Sequence, residues 1–143
     1  MASLSPKRAD YIEAVRFLHQ NSPISDHLGI TLDRIEPGFV TAYLSRCPEH
    51  TQQNGYLHAG VLVTLADVVC GLAACSLMAE GENVLSVNIN ASLMRPAKAD
   101  RIRAEGRVVK AGRRVYFTEA HLYAENGGGD TLVVKASITM MAD

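Results

Sequence analysis

The chain has 143 residues, of which 48% are hydrophobic and 20% are charged, and its formal net charge is -1. This length and composition are typical of one globular domain with its own core, and they exclude a disordered chain. Proteins that bind nucleic acid mainly through its phosphates normally carry a basic excess. The balanced charge therefore argues against a nucleic-acid partner.

The cysteines and the N-terminal residues exclude two further classes of protein. Cys47, Cys70 and Cys75 form no C-x-x-C pair, so the sequence predicts neither a disulfide scaffold nor a thiolate metal site. No His, Cys or carboxylate cluster has the spacing of metal ligands, and we expect no metal. The first twenty residues carry scattered charges and lack the apolar core of a secretory signal, so we expect a cytoplasmic protein.

The first part of the chain predicts one helix and a strand hairpin. Residues 5–20 have the pattern of an amphipathic helix, with Ser5 as a candidate N-cap and Pro6 at the first helical position. Two strands at 28–35 and 39–47 follow, joined by a short turn that contains Pro and Gly.

The segment from His58 to Ala79 is apolar almost throughout and predicts a long helix that ends near Gly81. About 20 apolar residues are enough to span a bilayer. However, Asp67 stands in the middle of the segment, and a carboxylate at the centre of a membrane helix costs roughly 2.5–3.5 kcal/mol. We therefore interpret the segment as the buried axis of a globular domain and expect no membrane span.

After this helix the pattern changes to a period of two, which is typical of strands. Residues 84–94 alternate between an apolar face and an uncharged polar face, and the polar face suggests a groove lining or an oligomer contact. Three more strands are predicted at 101–110, 114–125 and 131–142, separated by turns with hairpin composition.

This order of elements predicts an α+β fold with an antiparallel sheet of about six strands. We predict a single domain over residues 1–143. Residues 1–24 form its N-terminal helical part, and 25–142 form its core.

Asp67 is the residue of the apolar helix that most needs an explanation. Aspartate is almost never fully buried unless it is paired, and this helix offers no basic partner. Its neighbours at helical spacing leave room for a ligand or for another helix. They are mostly small: Gly60, Val63, Thr64, Cys70, Gly71 and Ala74. Two interpretations stay open, namely a carboxylate that acts on a ligand, or one that caps a neighbouring loop or binds Thr64.

The start of the same helix is a second candidate site. The first N–H groups of a helix lack partners and carry partial positive charge, and the small side chains of Ala59 and Gly60 let an oxyanion approach them. Ala59 and Asp67 are eight residues apart, roughly 12 Å along one helix. A reacting carbon must lie about 3 Å from both groups. We therefore predict two copies packed antiparallel about a two-fold axis, with the site at their interface.

A resemblance to a known family is carried by the run from Glu49 to Asp67, EHTQQNGYLHAGVLVTLAD. This run resembles the hotdog-fold acyl-CoA thioesterases, especially the phenylacetate-pathway (PaaI-like) and 4-hydroxybenzoyl-CoA branches. The likeness continues through 84–90, 94–98 and 112–115. It implies the hotdog fold, in which a curved antiparallel sheet wraps around one long central helix.

The resemblance also implies roles for individual residues. It makes Asp67 the general base or the nucleophile, and Gln52 the group that orients water or binds the substrate carbonyl. The backbone donor falls on Ala59, where relatives carry the first glycine of a His-Gly-Gly motif, with Gly60 beside it. Ser86 falls where relatives carry a polar residue that holds water.

Five further residues have weaker assignments. By residue type His58 is a general base, but the resemblance favours a role in holding the preceding loop. Arg95, Lys98, Arg113 and Arg114 lie at predicted strand ends or turns and are candidates for binding the phosphates of coenzyme A. The alternative for these four cations is a solvated rim.

The resemblance implies an enzyme that hydrolyses a small or medium acyl- or aryl-CoA to the free acid and coenzyme A. It requires no cofactor, and it implies a homodimer that pairs further into a tetramer. Gly71 stands where some relatives carry a hydroxyl, which weakens the case for an aromatic substrate. Two alternatives remain, a hotdog dehydratase or hydratase with a catalytic histidine, and a non-catalytic acyl-CoA sensor.

Overall fold

The computed structural model describes residues 4–143. Its elements, in chain order, are α1 (Tyr11–Gln20), α2 (Pro23–Leu28), β1 (Ile30–Glu36), β2 (Phe39–Ser45), a single 3-10 turn (Pro48–His50), α3 (Ala59–Cys75), β3 (Val84–Leu93), β4 (Arg101–Ala111), β5 (Val115–Glu125) and β6 (Asp130–Ala142).

The strands form one six-stranded antiparallel sheet in the order β1-β2-β4-β5-β6-β3, and α3 packs against it. The ladders β1–β2, β3–β6, β4–β5 and β5–β6 each contain a register shift, and such bulges bend and twist a sheet. The predicted α+β hotdog architecture, a curved sheet around one long helix, is confirmed.

A row of small residues lets α3 lie close to the sheet. Gly106, Ala120, Ala136 and Ala91 are in register across β4, β5, β6 and β3. A Cβ added at Gly106 would lie against the backbone of α3, only 2.8 Å from the Cys70 nitrogen. The inner face of α3 is therefore filled by close packing, and a ligand can reach only its flanks and its ends.

The N-terminal helix starts later than predicted. It begins at Tyr11 rather than at residue 5, because the preceding segment makes contacts with distant parts of the chain. Lys7 pairs with Glu82 at 3.4 Å, and Leu4 packs beside Gly38 in the β1–β2 turn. The division of the domain at residue 24 stays a prediction, and residues 1–3 lie outside the described residues.

No helix is predicted between residue 20 and the strand at 28–35, and the short helix α2 found there corrects this interpretation. Its signals are present in the sequence. The Ser22 hydroxyl accepts from the Ser25 N–H, Pro23 occupies the first turn, and Gly29 ends the helix in the left-handed region at φ 69°. The strand β1 therefore begins only at Ile30.

The long helix is shorter than predicted, because it ends at Cys75 and not near Gly81. The Ser76 hydroxyl donates to the Ala73 carbonyl at 2.6 Å and accepts from the Gly38 N–H at 2.7 Å, which fixes the helix end to the β1–β2 turn. Gly81 does adopt a positive φ of 83°, but within a turn that comes after the helix.

Strand β3 forms an edge of the sheet, and neither of its faces is buried within the subunit. Its side chains Leu85 and Val87 are 63% and 56% exposed. An open edge strand with exposed apolar side chains is a surface on which another chain can pair. Among residues 4–143 no helix combines the length and the hydropathy needed to cross a bilayer.

We expect Gly106→Ala to lower the free energy of unfolding by about 2–3 kcal/mol, because the added methyl group overlaps the backbone of α3 and forces the helix off the sheet. Denaturant unfolding followed by circular dichroism measures this change.

The matched control is Gly128→Ala. Gly128 lies in the β5–β6 turn, and an added Cβ would have the Asn126 oxygen, at 4.0 Å, as its nearest neighbour. This substitution should change the stability by less than about 0.5 kcal/mol. Equal effects of the two substitutions would contradict the close approach of α3 at Gly106.

Candidate active site

Asp67 lies half-buried on the flank of α3 that faces β3, outside the closely packed stripe of the helix. The Ser86 hydroxyl donates to its Oδ1 at 2.5 Å. Thr64 does not bind Asp67, because its hydroxyl donates to the Gly60 carbonyl one turn earlier. Within residues 4–143 Ser86 is the only hydrogen-bond partner of the Asp67 carboxylate, which leaves Oδ2 available to a ligand.

The Asp67–Ser86 pair opens into a cleft of about 720 Å³ between α3, β3 and the two N-terminal helices. The pair is surrounded mostly by apolar side chains, including Phe17, Ile24 and Ile89. A carboxylate and a hydroxyl within an apolar cleft are suited to an apolar substrate that carries one reactive polar group.

The start of α3 has one N–H group that is available to a ligand. His58 is the N-cap, and its Nδ1 accepts from the Gly60 N–H at 2.9 Å. The sequence predicts the Gly60 N–H as a second oxyanion donor. This N–H already donates to His58 and is therefore not available to a ligand. The Ala59 N–H has no acceptor within residues 4–143, and Ala59 is exposed.

His58 is held in place by this cap and by the loop before it. Its N–H donates to the carbonyl of the buried His50 at 2.9 Å, and its Nδ1 lone pair is used by Gly60. A general base would need that lone pair. This geometry agrees with a role of His58 in holding the loop. It does not favour His58 as a general base through Nδ1.

Gln52 presents its amide nitrogen to the same region. Its Oε1 accepts from the backbone N–H groups of Asn54 at 2.5 Å and Tyr56 at 3.3 Å, which fixes the oxygen towards the loop. The amide NH₂ then remains as a donor. Gln52, His58 and Ala59 line a second cleft of about 580 Å³. This cleft offers hydrogen-bond donors of the kind that a developing oxyanion requires.

One subunit does not bring the two halves of the site together. The Asp67–Ser86 cleft and the Gln52–Ala59 cleft have no lining residue in common. The Ala59 N–H lies at the start of α3 and Asp67 lies in its middle, about 12 Å further along the axis. The structure therefore places Asp67 and Ser86 in one cleft and Gln52, His58 and Ala59 in another, and Gly60 lines neither of them.

The four candidate cations are likewise separated. Arg95 lines the Gln52–Ala59 cleft and donates to the Leu132 carbonyl at 2.7 Å, and the Lys98 ammonium lies 5.5 Å from the centre of the Tyr56 ring. Arg113 and Arg114 lie in the β4–β5 turn beside the start of β3. Because β3 separates the two groups by about 30 Å, one subunit cannot direct all four at one ligand.

The cysteines near the helix are not nucleophiles. Burial raises the pKa of the Cys70 thiol to about 12, and burial also raises the pKa of Cys75. Since the thiolate is the reactive form, both groups remain protonated at neutral pH. Within residues 4–143 no three His, Cys, Asp or Glu side chains are placed to hold a metal ion together.

Comparison with known proteins relates this fold and site to one family. Residues 54–131 match the thioesterase superfamily. The chain is 30% identical over 121 residues to the proofreading thioesterase EntH of Klebsiella pneumoniae, covering 85% of this chain and 88% of that protein. It is 34% identical over 94 residues to acyl-coenzyme A thioesterase 13 of Homo sapiens, covering 65% of this chain and 66% of that protein.

A solved structure agrees with these sequence matches. The crystal structure of a thioesterase family protein from Silicibacter pomeroyi superposes with a TM-score of 0.90 at 35% identity, covering 92% of this chain and 97% of that one. The family match spans more than half of the chain and includes Ala59 and Asp67, although Gln52 lies just before it. The chain therefore belongs to the thioesterase superfamily and has its hotdog fold.

Proposed function

We propose that this protein is an acyl-CoA thioesterase whose active site is shared between two subunits. The observation that carries the proposal is the division of the site. The carboxylate of Asp67 and the unpaired N–H of Ala59 have complementary chemistry, yet they lie about 12 Å apart on one helix. Two antiparallel copies of α3 would place each Asp67 opposite the partner subunit's Ala59.

Strand β3 supports this arrangement of two copies. It is an open edge with exposed apolar side chains, and it runs beside the Asp67 flank of α3. Pairing of β3 with its own copy about a two-fold axis would satisfy the open backbone groups of this edge and bring the two α3 helices together. We expect a homodimer, and the pairing of dimers into tetramers remains part of the proposal.

The proposed reaction follows from the donors and acceptors present. Asp67 either removes a proton from the water that attacks the thioester carbon, or attacks that carbon itself to form an anhydride that water then hydrolyses. Ser86 fixes Oδ1 so that Oδ2 faces the substrate. The carbonyl oxygen becomes an oxyanion, held by the partner subunit's Ala59 N–H and Gln52 amide. The departing thiol has a pKa of about 8.5, so it leaves as a thiolate without a strong acid.

The four candidate cations would bind the phosphates of coenzyme A in this proposal. Arg95 and Lys98 border the oxyanion cleft and would bind coenzyme A phosphates at its mouth, whereas Arg113 and Arg114 would reach the same ligand only from another subunit.

A dehydratase would need a histidine beside the acid, and the partner of Asp67 is Ser86. The cytoplasmic location predicted from the sequence remains part of the proposal.

The substitution Asp67→Asn should lower kcat for acyl-CoA hydrolysis by at least 100-fold, because a positioned acid–base group contributes about 10²–10⁴. Release of free thiol from a panel of acyl-CoA esters measures the rate. A sensor or a dehydratase would release no thiol from any ester even as the wild-type protein.

The matched control is Asp33→Asn on β1. Asp33 also accepts from a hydroxyl, that of Thr41 at 3.2 Å, but it lies on the opposite edge strand of the sheet. This variant should hydrolyse the esters at the wild-type rate. If Asp67→Asn retained full activity, or if both variants lost activity alike, the role of Asp67 would be wrong.

A second substitution removes the oxyanion donor alone. Ala59→Pro deletes the N–H at the first helical position, where proline is favoured, and His58 already has the φ of -65° and ψ of 139° that suit a residue before proline. We expect kcat to fall about 10²–10³-fold with the fold intact. Ala59→Gly keeps the N–H and should stay within a few-fold of wild type. Equal rates for the two variants would exclude the Ala59 N–H from the reaction.

A further inference from the structure

The cleft that contains Asp67 borders a second cleft. The first, here called the proximal chamber, contains Asp67 and Ser86, and the second, the distal chamber, has a volume of about 590 Å³ and contains Cys75 and Met78. Phe17, Leu18 and Val84 line both chambers. The two chambers are therefore adjacent and meet at these three side chains, and together they are called the groove below.

The groove follows the axis of α3. Along this helix the lining passes from Asp67 through Gly71 in the proximal chamber to Cys75 in the distal chamber. The opposite wall is formed by α1, which runs the other way: His19 lines the proximal chamber and Ala14 lines the distal chamber. An added Cβ at Gly71 would meet only the Met140 methyl carbon, at 4.0 Å, so the floor beyond Asp67 is open.

The length of the groove can be expressed as a length of acyl chain. Asp67 and Cys75 are separated by eight residues, about 12 Å along the helix. An extended chain covers about 1.2 Å per bond, as a peptide does with three bonds per residue. A linear acyl group that begins at Asp67 would therefore reach Cys75 with about ten carbons, whereas a single aromatic ring would fill only the proximal chamber.

The charges at the distal end exclude an anionic chain terminus. The Arg8 guanidinium donates to both oxygens of Asp10, at 2.6 and 2.7 Å, and is thereby neutralised. The other charged residues that line this chamber are Glu13 and Glu82. Among residues 4–143 the distal chamber thus has no cation left for a carboxylate.

The junction itself is apolar and lies on α1. Phe17 is 68% exposed and Leu18 is 43% exposed, although both side chains are large and hydrophobic. An acyl chain that lies between these side chains and α3 would shield them from water, and burial of this apolar surface would favour binding of the acyl chain.

We propose that the groove binds a linear, uncharged acyl chain of about ten carbons, and that Phe17 is a specificity-determining residue that selects for this length. This inference rests on the proposed thioesterase function. It deepens that function by naming the substrate class as medium-chain fatty acyl-CoA rather than aryl-CoA or dicarboxylyl-CoA.

The test measures kcat/KM with butyryl-, hexanoyl-, octanoyl-, decanoyl- and hexadecanoyl-CoA, with benzoyl-CoA, and with an ω-carboxydecanoyl-CoA. For the wild-type protein, kcat/KM should rise at least about tenfold from butyryl to decanoyl and then level off, because each buried methylene adds up to about three- to fourfold. The benzoyl and ω-carboxy esters should be at least tenfold poorer than decanoyl-CoA.

Two variants test the groove directly. Phe17→Ala removes the wall at the junction and should lower the decanoyl-to-butyryl ratio of kcat/KM at least tenfold. Cys75→Leu fills the distal chamber and should move the optimum to a shorter chain. Phe117→Ala is the matched control, because Phe117 is also an exposed phenylalanine, 46% accessible, but lies on β5 outside both chambers. Its chain-length profile should equal that of the wild type.

A flat chain-length profile, a preference for benzoyl-CoA, or an unchanged ratio in Phe17→Ala would overturn the inference while leaving thioester hydrolysis intact. A change of oligomeric state in Phe17→Ala, measured by sedimentation, would show that a second copy covers the groove and would also overturn it. If no ester is hydrolysed, calorimetric binding of butyryl- and decanoyl-CoA to Asp67→Asn still decides. Tighter binding of decanoyl-CoA supports the groove, and equal binding excludes it.

Discussion

The length of one rigid helix determines the arrangement of this site. The helix α3 carries the available N–H at its first residue and the carboxylate two turns later, and its hydrogen-bonded backbone keeps them about 12 Å apart. A thioester carbon cannot lie within about 3 Å of both. In the proposed enzyme the chain therefore holds two half-sites, and an antiparallel copy of the same helix is the simplest means of completing each one.

The packing of the core leaves the half-sites accessible. Because Gly106 and the neighbouring alanines let α3 lie directly on the sheet, the inner face of the helix is used for stability. The flank toward β3 remains for chemistry, and there Ser86 holds Asp67. The N-terminal helix α1 closes the same flank from outside and turns it into a groove. In the proposed enzyme, the wall formed by α3 and β3 carries the reacting carboxylate, and the wall formed by α1 selects the length of the substrate.

Much of the fold could be predicted from the sequence because its signals are local. Alternating strands, Gly-rich turns and one continuous apolar helix are each set by neighbouring residues. The errors arose where distant contacts or short motifs decided. The start of α1 depends on contacts that Leu4 and Lys7 make with residues more than thirty positions away. Helix α2 has only six residues, too few to show a helical periodicity, although its Ser-Pro start and Gly end are present in the sequence. In the candidate site, the sequence alone already indicates Asp67 as the residue that needs an explanation. Two features could be seen only in the structure, namely that the Gly60 N–H donates to His58 and that the four cations lie far apart.

The shared active site is tested most directly by a mixed dimer. Asp67→Asn and Ala59→Pro, each with a different affinity tag, are co-expressed, and the dimer that carries both tags is purified. In a shared site, the intact Asp67 of one chain meets the intact Ala59 of the other once per dimer, so the mixed dimer should recover about half of the wild-type kcat. The account would be contradicted if the mixed dimer were as inactive as the two single-variant homodimers, because each site would then lie within a single chain.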